Sequence, residues 1–519
     1  MIERLIAAAQ RQHFLVFTLV VLVAAGGLFG LSRLNVDAFP DVTTVQVDVG
    51  TEAPGLAPEE VEQLITYPIE NAMNGLPDVD VVRSISKFGL SVVTVVFKDG
   101  TDIYFARQLV FERLEQARAE IPAGFAPEMG PITTGVGQIF MYRVTGAGWS
   151  NMDLRALHDW TIAFQLRTVP GVADVLSFGG DVKQYQVAVD PAALIDRQVT
   201  LGQVFEAIEA NNGNTGGNFI AHGPEQYVIR GVGLASSLED IGNIVVTSRQ
   251  GVPVYVHDVA SLAIGPEIRQ GAATMNGEGE VVTGIVLQQI GTNTKQVIED
   301  VKAQIALIQA GLPPGVSIVP FYDQAVLVDQ SIRGVSTALV EGLLFVTLVL
   351  FLLLGNVRAS LITALAIPVS MLVAFFVMWF TDLSANLMSL GGLAVSVGMM
   401  VDATLIMVEN IYRHISEGRD EHGTLTERVL AASMEIGRPV FYAVLIIVAV
   451  FLPLYTLTGI EGKLFTPLAR TVTYAMLGSL VMALLITPTL AIQIFRRAKT
   501  KPTREVIATM RRPYLATLQ

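Results

Sequence analysis

Residues 386–414, NLMSLGGLAVSVGMMVDATLIMVENIYRH, decide how the rest of this 519-residue chain is read. The stretch is apolar for more than twenty residues and carries one carboxylate, Asp402, about halfway along. A run of that length predicts a membrane-spanning helix. An unpaired charge at the bilayer centre costs roughly 2.5–3.5 kcal/mol on insertion scales. Side chains that meet this cost usually face the interior of a helix bundle and carry protons, ions or substrate. The expectation is a pump driven through Asp402.

Helical spacing sorts the other side chains of this stretch. Glu409 follows Asp402 by seven residues, about two turns or roughly 10 Å along the same face. The pair predicts an inward-facing acidic track, with Glu409 near the membrane surface; a structural hydrogen bond is the competing reading for each acid. Met388, Met399, Met400 and Met407 lie on the same helix, and Met476 on a later one. Met400 and Met407 share a face, whereas Asp402 stands about 200° around from Met400. Thioethers suit Cu(I) or Ag(I). They also fill apolar gaps, and on spacing alone the filler reading is the stronger.

Composition narrows the classes. Hydrophobic residues make up 51% and the mean hydropathy is +0.52, too apolar for an ordinary soluble chain of this size. There is no cysteine, hence no disulfide framework, thiolate nucleophile or thiolate metal site. The six histidines lack zinc-site spacing, and no phosphate loop or nucleophile–base pairing points to an enzyme or to a cofactor. Residues 35–335 hold 35 acidic and 17 basic side chains, a difference of −18; with a total of −13 the remainder carries +5. An acidic body on a slightly basic membrane part argues against nucleic acid as a partner and suits cationic cargo.

Along the chain, Arg4 and Arg11 precede an apolar run at 14–31. It reads as an uncleaved anchor rather than a signal segment, because it exceeds the usual apolar length and no A-x-A site follows. Residues 36–133 read as a first βαββαβ unit: strand 43–49, helix 56–73, a hairpin 81–97 turning at Gly89, a helix to about 120 capped by Thr101 or Asp102, and a last strand before Pro131. The order then begins again with strand 136–144, helix 153–166 and strands 175–178 and 184–190. It is completed by strand 281–287, helix 295–307 and strand 316–320. The residues between, about 191–271, read as an inserted subdomain. The corresponding boundaries are 134–180 and 272–332 for the second unit and 181–271 for the insertion.

Further apolar runs at 336–354, 361–380, 387–411, 440–457 and 471–495 bring the spans to six, with Pro368, Pro453 and Pro488 inside them. The first span occupies 1–35 and the other five 333–498; residues 499–519 read as a basic connector. By alternation Arg4, Arg11, Arg358, Arg413, Arg419, Arg428, Arg438, Arg496, Arg497, Lys499 and Lys501 fall on one side, and only Lys463 and Arg470 in the short loops opposite. The positive-inside rule makes that first side, with both termini, cytoplasmic. The fold class is thus a membrane α-helical bundle of six spans carrying a periplasmic α+β body of ferredoxin-like subdomains.

Several phrases resemble the heavy-metal efflux branch of the resistance-nodulation-division superfamily: VDAFPDVTTVQV at 36–47, TYPIENAMNGLPDV at 66–79, FKDGTDIYFARQLV at 97–110, MGPITTGVGQI at 129–139, GGDVKQYQVAVDP at 179–191, NLMSLGG at 386–392 and GMMVDATLIMVEN at 398–410. The last holds the superfamily's G-x-x-x-D pattern as Gly398 and Asp402. The resemblance runs in order through the whole chain. It implies a trimeric, proton-driven exporter of the bacterial inner membrane that passes metal ions to a periplasmic adaptor protein and an outer-membrane channel. Its two ferredoxin-like units are porter subdomains and its insertion belongs to the docking region. Only the first half of a twelve-span pump is matched, so transport requires a separately encoded second half, or the chain is a fragment.

The resemblance also bears on the cargo. Methionines at positions matching Met388, Met400, Met407 and Met476 occur in the copper and silver exporters. An aspartate of the cobalt, zinc and cadmium exporters is Ser396 here, and a further methionine of the copper group is Ala491. The porter phrases look more like the divalent exporters. The methionines place Cu(I) or Ag(I) slightly ahead of zinc, cobalt or cadmium. A six-span component of protein export or assembly, and an inactive truncation, are the competing functions.

Overall fold

A computed structural model describes residues 2–37, 39–249, 251–269, 271–354, 356–417 and 424–496. The basic connector expected at 499–519 lies outside the described residues, as do Arg419, Arg497, Lys499 and Lys501. Among the described residues six helices are long and apolar enough to cross a membrane: His13–Arg33, Gln324–Leu352, Val357–Phe380, Leu387–Ser416, Leu425–Thr456 and Gly459–Phe495. They are spans one to six. Spans two, five and six begin well before their apolar runs, because helix continues where hydropathy has stopped. Span two starts at Gln324, the residue after a strand ends.

That body is built from two four-stranded antiparallel sheets. The first contains β1 (Gln46–Glu52), β2 (Val79–Lys87), β3 (Leu90–Phe97) and β4 (Glu128–Met129) in the order β2-β3-β1-β4. Alternation puts Val47, Val49, Val93 and Val95 under the sheet, where they meet Ile65, Ile69, Val110 and Leu114 from two helices. Asp102 caps the second helix by accepting from the Phe105 amide at 2.9 Å. Gly89 makes the β2–β3 turn at φ +72°.

The chain then forms β5 (Gln138–Gly146), β6 (Val172–Phe178) and β7 (Lys183–Val189). Within the insertion lie β8 (Thr215–His222), β9 (Glu225–Gly231), β10 (Val245–Arg249), β11 (Val252–Tyr255) and β12 (Ala260–Pro266). After it come β13 (Val282–Gln288) and β14 (Val316–Asp323). The second sheet runs β14-β5-β13-β6, so each sheet has a βαββαβ order. The strand read at 184–190 does not join this sheet, correcting its assignment to the second unit. As β7 it pairs with β12 from Lys183↔Pro266 to Val189↔Ala260, and the two form the neck of the insertion. A one-dimensional pattern carries no information on which distant strand a segment pairs with.

Spans six, four and three are the centre of the bundle: 67% of the most apolar window of span six is buried, against 6% for span two. Small residues permit this packing. A Cβ on Gly27 of span one would come within 2.4 Å of the Leu372 carbonyl oxygen of span three. One on Gly392 of span four would come within 2.3 Å of Thr471 Oγ1 of span six. Pro488 is preceded by a π-helical segment, Met482–Ile486, and in the first body helix Pro68 follows one at Glu62–Thr66. A proline clashes with the carbonyl four residues back, and the wider turn gives it room.

Candidate functional site

Span four begins at a tight polar cap. Asn386 Oδ1 accepts from the amides of Met388 and Ser389 at 3.0 Å each, and Ser389 Oγ donates to the Ser384 carbonyl at 2.9 Å. With the helix start fixed, its phase follows. Leu393, Ser396, Val397, Met400, Thr404, Met407 and Ile411 are buried, and Val395, Gly398, Asp402, Ile406, Glu409 and Arg413 are exposed. The exposed residues recur every three or four positions and form one stripe.

Asp402 and Glu409 therefore share a face, but it is turned away from the other five helices. Within these six helices the acidic stripe is exposed rather than buried. The apolar face carries the larger contact area, and it takes the inside. Among the described residues neither acid has a hydrogen bond or an ion pair. Gly398 lies one turn before Asp402, and a Cβ there would meet nothing within 4 Å. Among the described residues nothing packed against Gly398 requires a glycine.

The thioethers take the other side. Met400, Met407 and Met476 are fully buried in the bundle core, and Met388 is half-buried. Ser479 Oγ, three residues after Met476, donates to the Met400 carbonyl oxygen at 2.7 Å and ties span six to span four. Among the described residues no three His, Cys, Asp or Glu side chains come together to hold a metal ion.

Two polar clusters escaped the sequence reading. At the end of span four, Asn410 Nδ2 donates to the Ala432 carbonyl at 2.9 Å and to Glu435 Oε2 at 3.2 Å. Arg413 donates to Asn410 Oδ1 at 2.7 Å and lies 3.5 Å from Glu435, while His414 Nε2 is 3.1 Å from the same carboxylate. Glu435 belongs to span five but precedes its apolar run, so no hydropathy signal marked it.

The second cluster is partly buried in the second sheet unit, around the fully buried Tyr142 and His158. Tyr142 Oη meets His158 Nε2 at 2.9 Å, and His158 Nδ1 lies 2.9 Å from Ser177 Oγ and 3.2 Å from Asp159 Oδ1. Ser177 donates to Asp159 at 2.5 Å, as does Arg155 Nε at 2.7 Å. Burial alone would raise the Asp159 carboxyl. Hydrogen bonds from His158, Ser177 and Arg155 outweigh it and hold the group down at about 2. Burial pushes the Tyr142 phenol well above its ordinary range. His158 stands in a π-helical segment, His158–Ile162, and a Cβ on Gly284 would collide with Tyr142 and His158 at 2.3–2.6 Å. The signal was a histidine followed by aspartate and tryptophan on a helix, too common a pattern to single out.

Where the bundle meets the body, Thr294 Oγ1 donates to Asp37 Oδ1 at 2.9 Å. Burial raises the Asp37 carboxyl, opposed by Thr294 and Ser384 and reinforced by Asp41.

The profile of the AcrB/AcrD/AcrF family matches residues 5–517. The cobalt-zinc-cadmium resistance protein CzcA of Cupriavidus metallidurans is 44% identical over 528 residues, covering 99% of this chain and 49% of its own length. The cation efflux system protein CusA of Escherichia coli is 41% identical over 500 residues, covering 94% of this chain and 48% of its own. A crystal structure of a heavy metal efflux pump superposes with a TM-score of 0.84 at 34% identity, over 99% of this chain and 52% of that one. This chain spans about half the length of the relatives it matches. A match that runs through both sheets and all six spans makes the chain a member of the AcrB/AcrD/AcrF family, the resistance-nodulation-division pumps, with heavy-metal efflux systems among its relatives.

Proposed function

We propose that the chain is the N-terminal half of a proton-driven exporter of heavy-metal cations. The observation that carries this reading is Asp402: a carboxylate midway along an apolar span, without a partner among the described residues, with Glu409 two turns on along the same stripe. A carboxylate so placed is a proton carrier by default. The acid stripe and the bare Gly398 are then the surface on which the rest of the pump packs, and that part supplies the charges with which Asp402 exchanges protons.

Members of the family are inner-membrane proteins. Both termini of this chain are cytoplasmic and its α/β body is periplasmic; the charge alternation across the spans supports this, and the Arg438–Glu3 pair at 3.1 Å holds the N-terminal helix at the basic end. The two sheet units act as porter subdomains and the insertion as part of a docking region. The working assembly is a homotrimer completed by the second half, a periplasmic adaptor and an outer-membrane channel.

Cu(I) or Ag(I) stands slightly ahead as cargo, supported by Met388, Met400, Met407 and Met476. The higher identity to a cobalt-zinc-cadmium protein favours the divalent ions as the second reading. The test is Asp402→Asn in the chromosomal copy, with metal resistance and membrane content both measured. Loss of resistance at unchanged membrane content is expected; undiminished resistance would falsify the proposal.

A further inference from the structure

Lys463 broke the charge pattern of the sequence, which reads it and Arg470 as the two basic residues of the short loops on the body side, whereas both lie in the helix Gly459–Val481. Its environment accounts for it. Lys463 stands in the first turns of span six, and its side chain is only 25% exposed. Nζ donates to the Thr43 carbonyl oxygen at 2.7 Å and pairs with Asp99 Oδ1 at 2.8 Å. Thr43 belongs to the segment joining span one to β1, and Asp99 to the turn after β3. One ammonium thus grips the first sheet unit at two points far apart in sequence. Thr43 is itself tied onward, its Oγ1 accepting from the Gly135 amide at 3.1 Å on the way to the second sheet.

The remainder of the same helix holds the acid helix. Thr471 and Leu468 lie close enough to Gly392 to exclude a side chain, and Ser479 bonds the Met400 carbonyl two residues before Asp402. Span six is therefore continuous mechanical contact from the neighbourhood of Asp402 to the first sheet, with Lys463 at its end. We infer that Lys463 is a positioning residue that transmits movement of spans four and six to the first sheet unit. This rests on the proton-driven reading above. Asp99 is 47% exposed, so the pair adds little to stability, and its loss shows in coupling rather than folding.

The experiment places Lys463→Met, Lys463→Arg, Asp99→Asn and Asp402→Asn in the chromosomal copy. It measures the maximal rate and the half-saturating metal concentration of efflux, normalised to membrane content. Lys463→Met is expected to lower the maximal rate about tenfold with the half-saturating concentration unchanged, and Asp99→Asn to lower it in the same direction. Lys463→Arg, which keeps both contacts, should stay within about twofold. Rates near the parent's in both Lys463→Met and Asp99→Asn, with Asp402→Asn inactive, would overturn the inference and leave the proton-driven reading standing. An active Asp402→Asn would overturn that reading and the inference with it.

Discussion

Asp402 and Asp159 are both carboxylates on helices, and the fold treats them in opposite ways. Asp159 receives hydrogen bonds from Ser177 and Arg155, touches His158, and stays ionised down to about pH 2. Asp402 sits on an apolar span with no partner among the described residues. A fully satisfied acid fixes one structure, because every alternative leaves buried donors unmet. An unsatisfied acid in a membrane is a cost that folding of this chain does not remove. The first is a part of the framework, and the second is the acid to which the proposed function gives its role.

Five experiments follow from that contrast, the largest expected effect first. Asp402→Asn should reduce metal efflux at least about 100-fold, in the range of losing a proton-transfer group, with thermal stability within about 0.5 kcal/mol of the parent. Comparable stability loss would make Asp402 a structural acid and erase the distinction. Asp159→Ala should do the reverse, costing about 2 kcal/mol in denaturant unfolding by stranding Arg155 and Ser177.

The pH dependence of that second effect has a definite sign. The folded-state pKa of Asp159 lies below its unfolded value, so its contribution is fully present above about pH 4. It is lost as pH falls toward 2, and amounts to roughly 1–2 kcal/mol once partial solvent exposure is discounted. Stability curves of the parent and Asp159→Asn that stay parallel from pH 5 to pH 2 would show that the carboxylate is not held as described.

Glu435→Gln removes the half-exposed carboxylate that faces Arg413 and His414, and should cost under about 1 kcal/mol in thermal unfolding. A larger cost would place this cluster with Asp159 rather than with the surface. Met400→Leu conserves volume in the core and should cost less than about 1.5 kcal/mol. Silver resistance should fall in this variant while zinc resistance is kept; equal retention of both would make Met400 a packing residue only.

Much of this was legible in one dimension. Alternating valines in 43–49 gave one strand of the first sheet, because a half-buried strand must alternate, and the hairpin pattern of 81–97 turning at Gly89 gave two more. The separation of Asp402 and Glu409 from Met400 and Met407 followed from 3.6 residues per turn. The apolar runs located all six spans, although spans two, five and six extend beyond them, because backbone hydrogen bonds carry a helix past the point where hydropathy marks it. The two polar clusters were not legible. His158 and Asp159 are adjacent, but Tyr142 and Ser177 reach them only across the sheet, and Glu435 meets Asn410 and His414 only when spans four and five pack.

The sequence by itself determined which residues face together, since helix and strand periods are local properties of the backbone. The tertiary structure decided which of those faces turned inward. It put Met400 and Met407 inside and left Asp402 and Glu409 exposed, because the apolar face is the one that packs on spans three and six. It also decided that β7 leaves the second sheet for β12, and that Lys463 of span six closes on Thr43 and Asp99. The β7–β12 pairing joins residues 71 to 83 positions apart and the Lys463 contacts join residues 364 and 420 apart, and only packing brings them within reach.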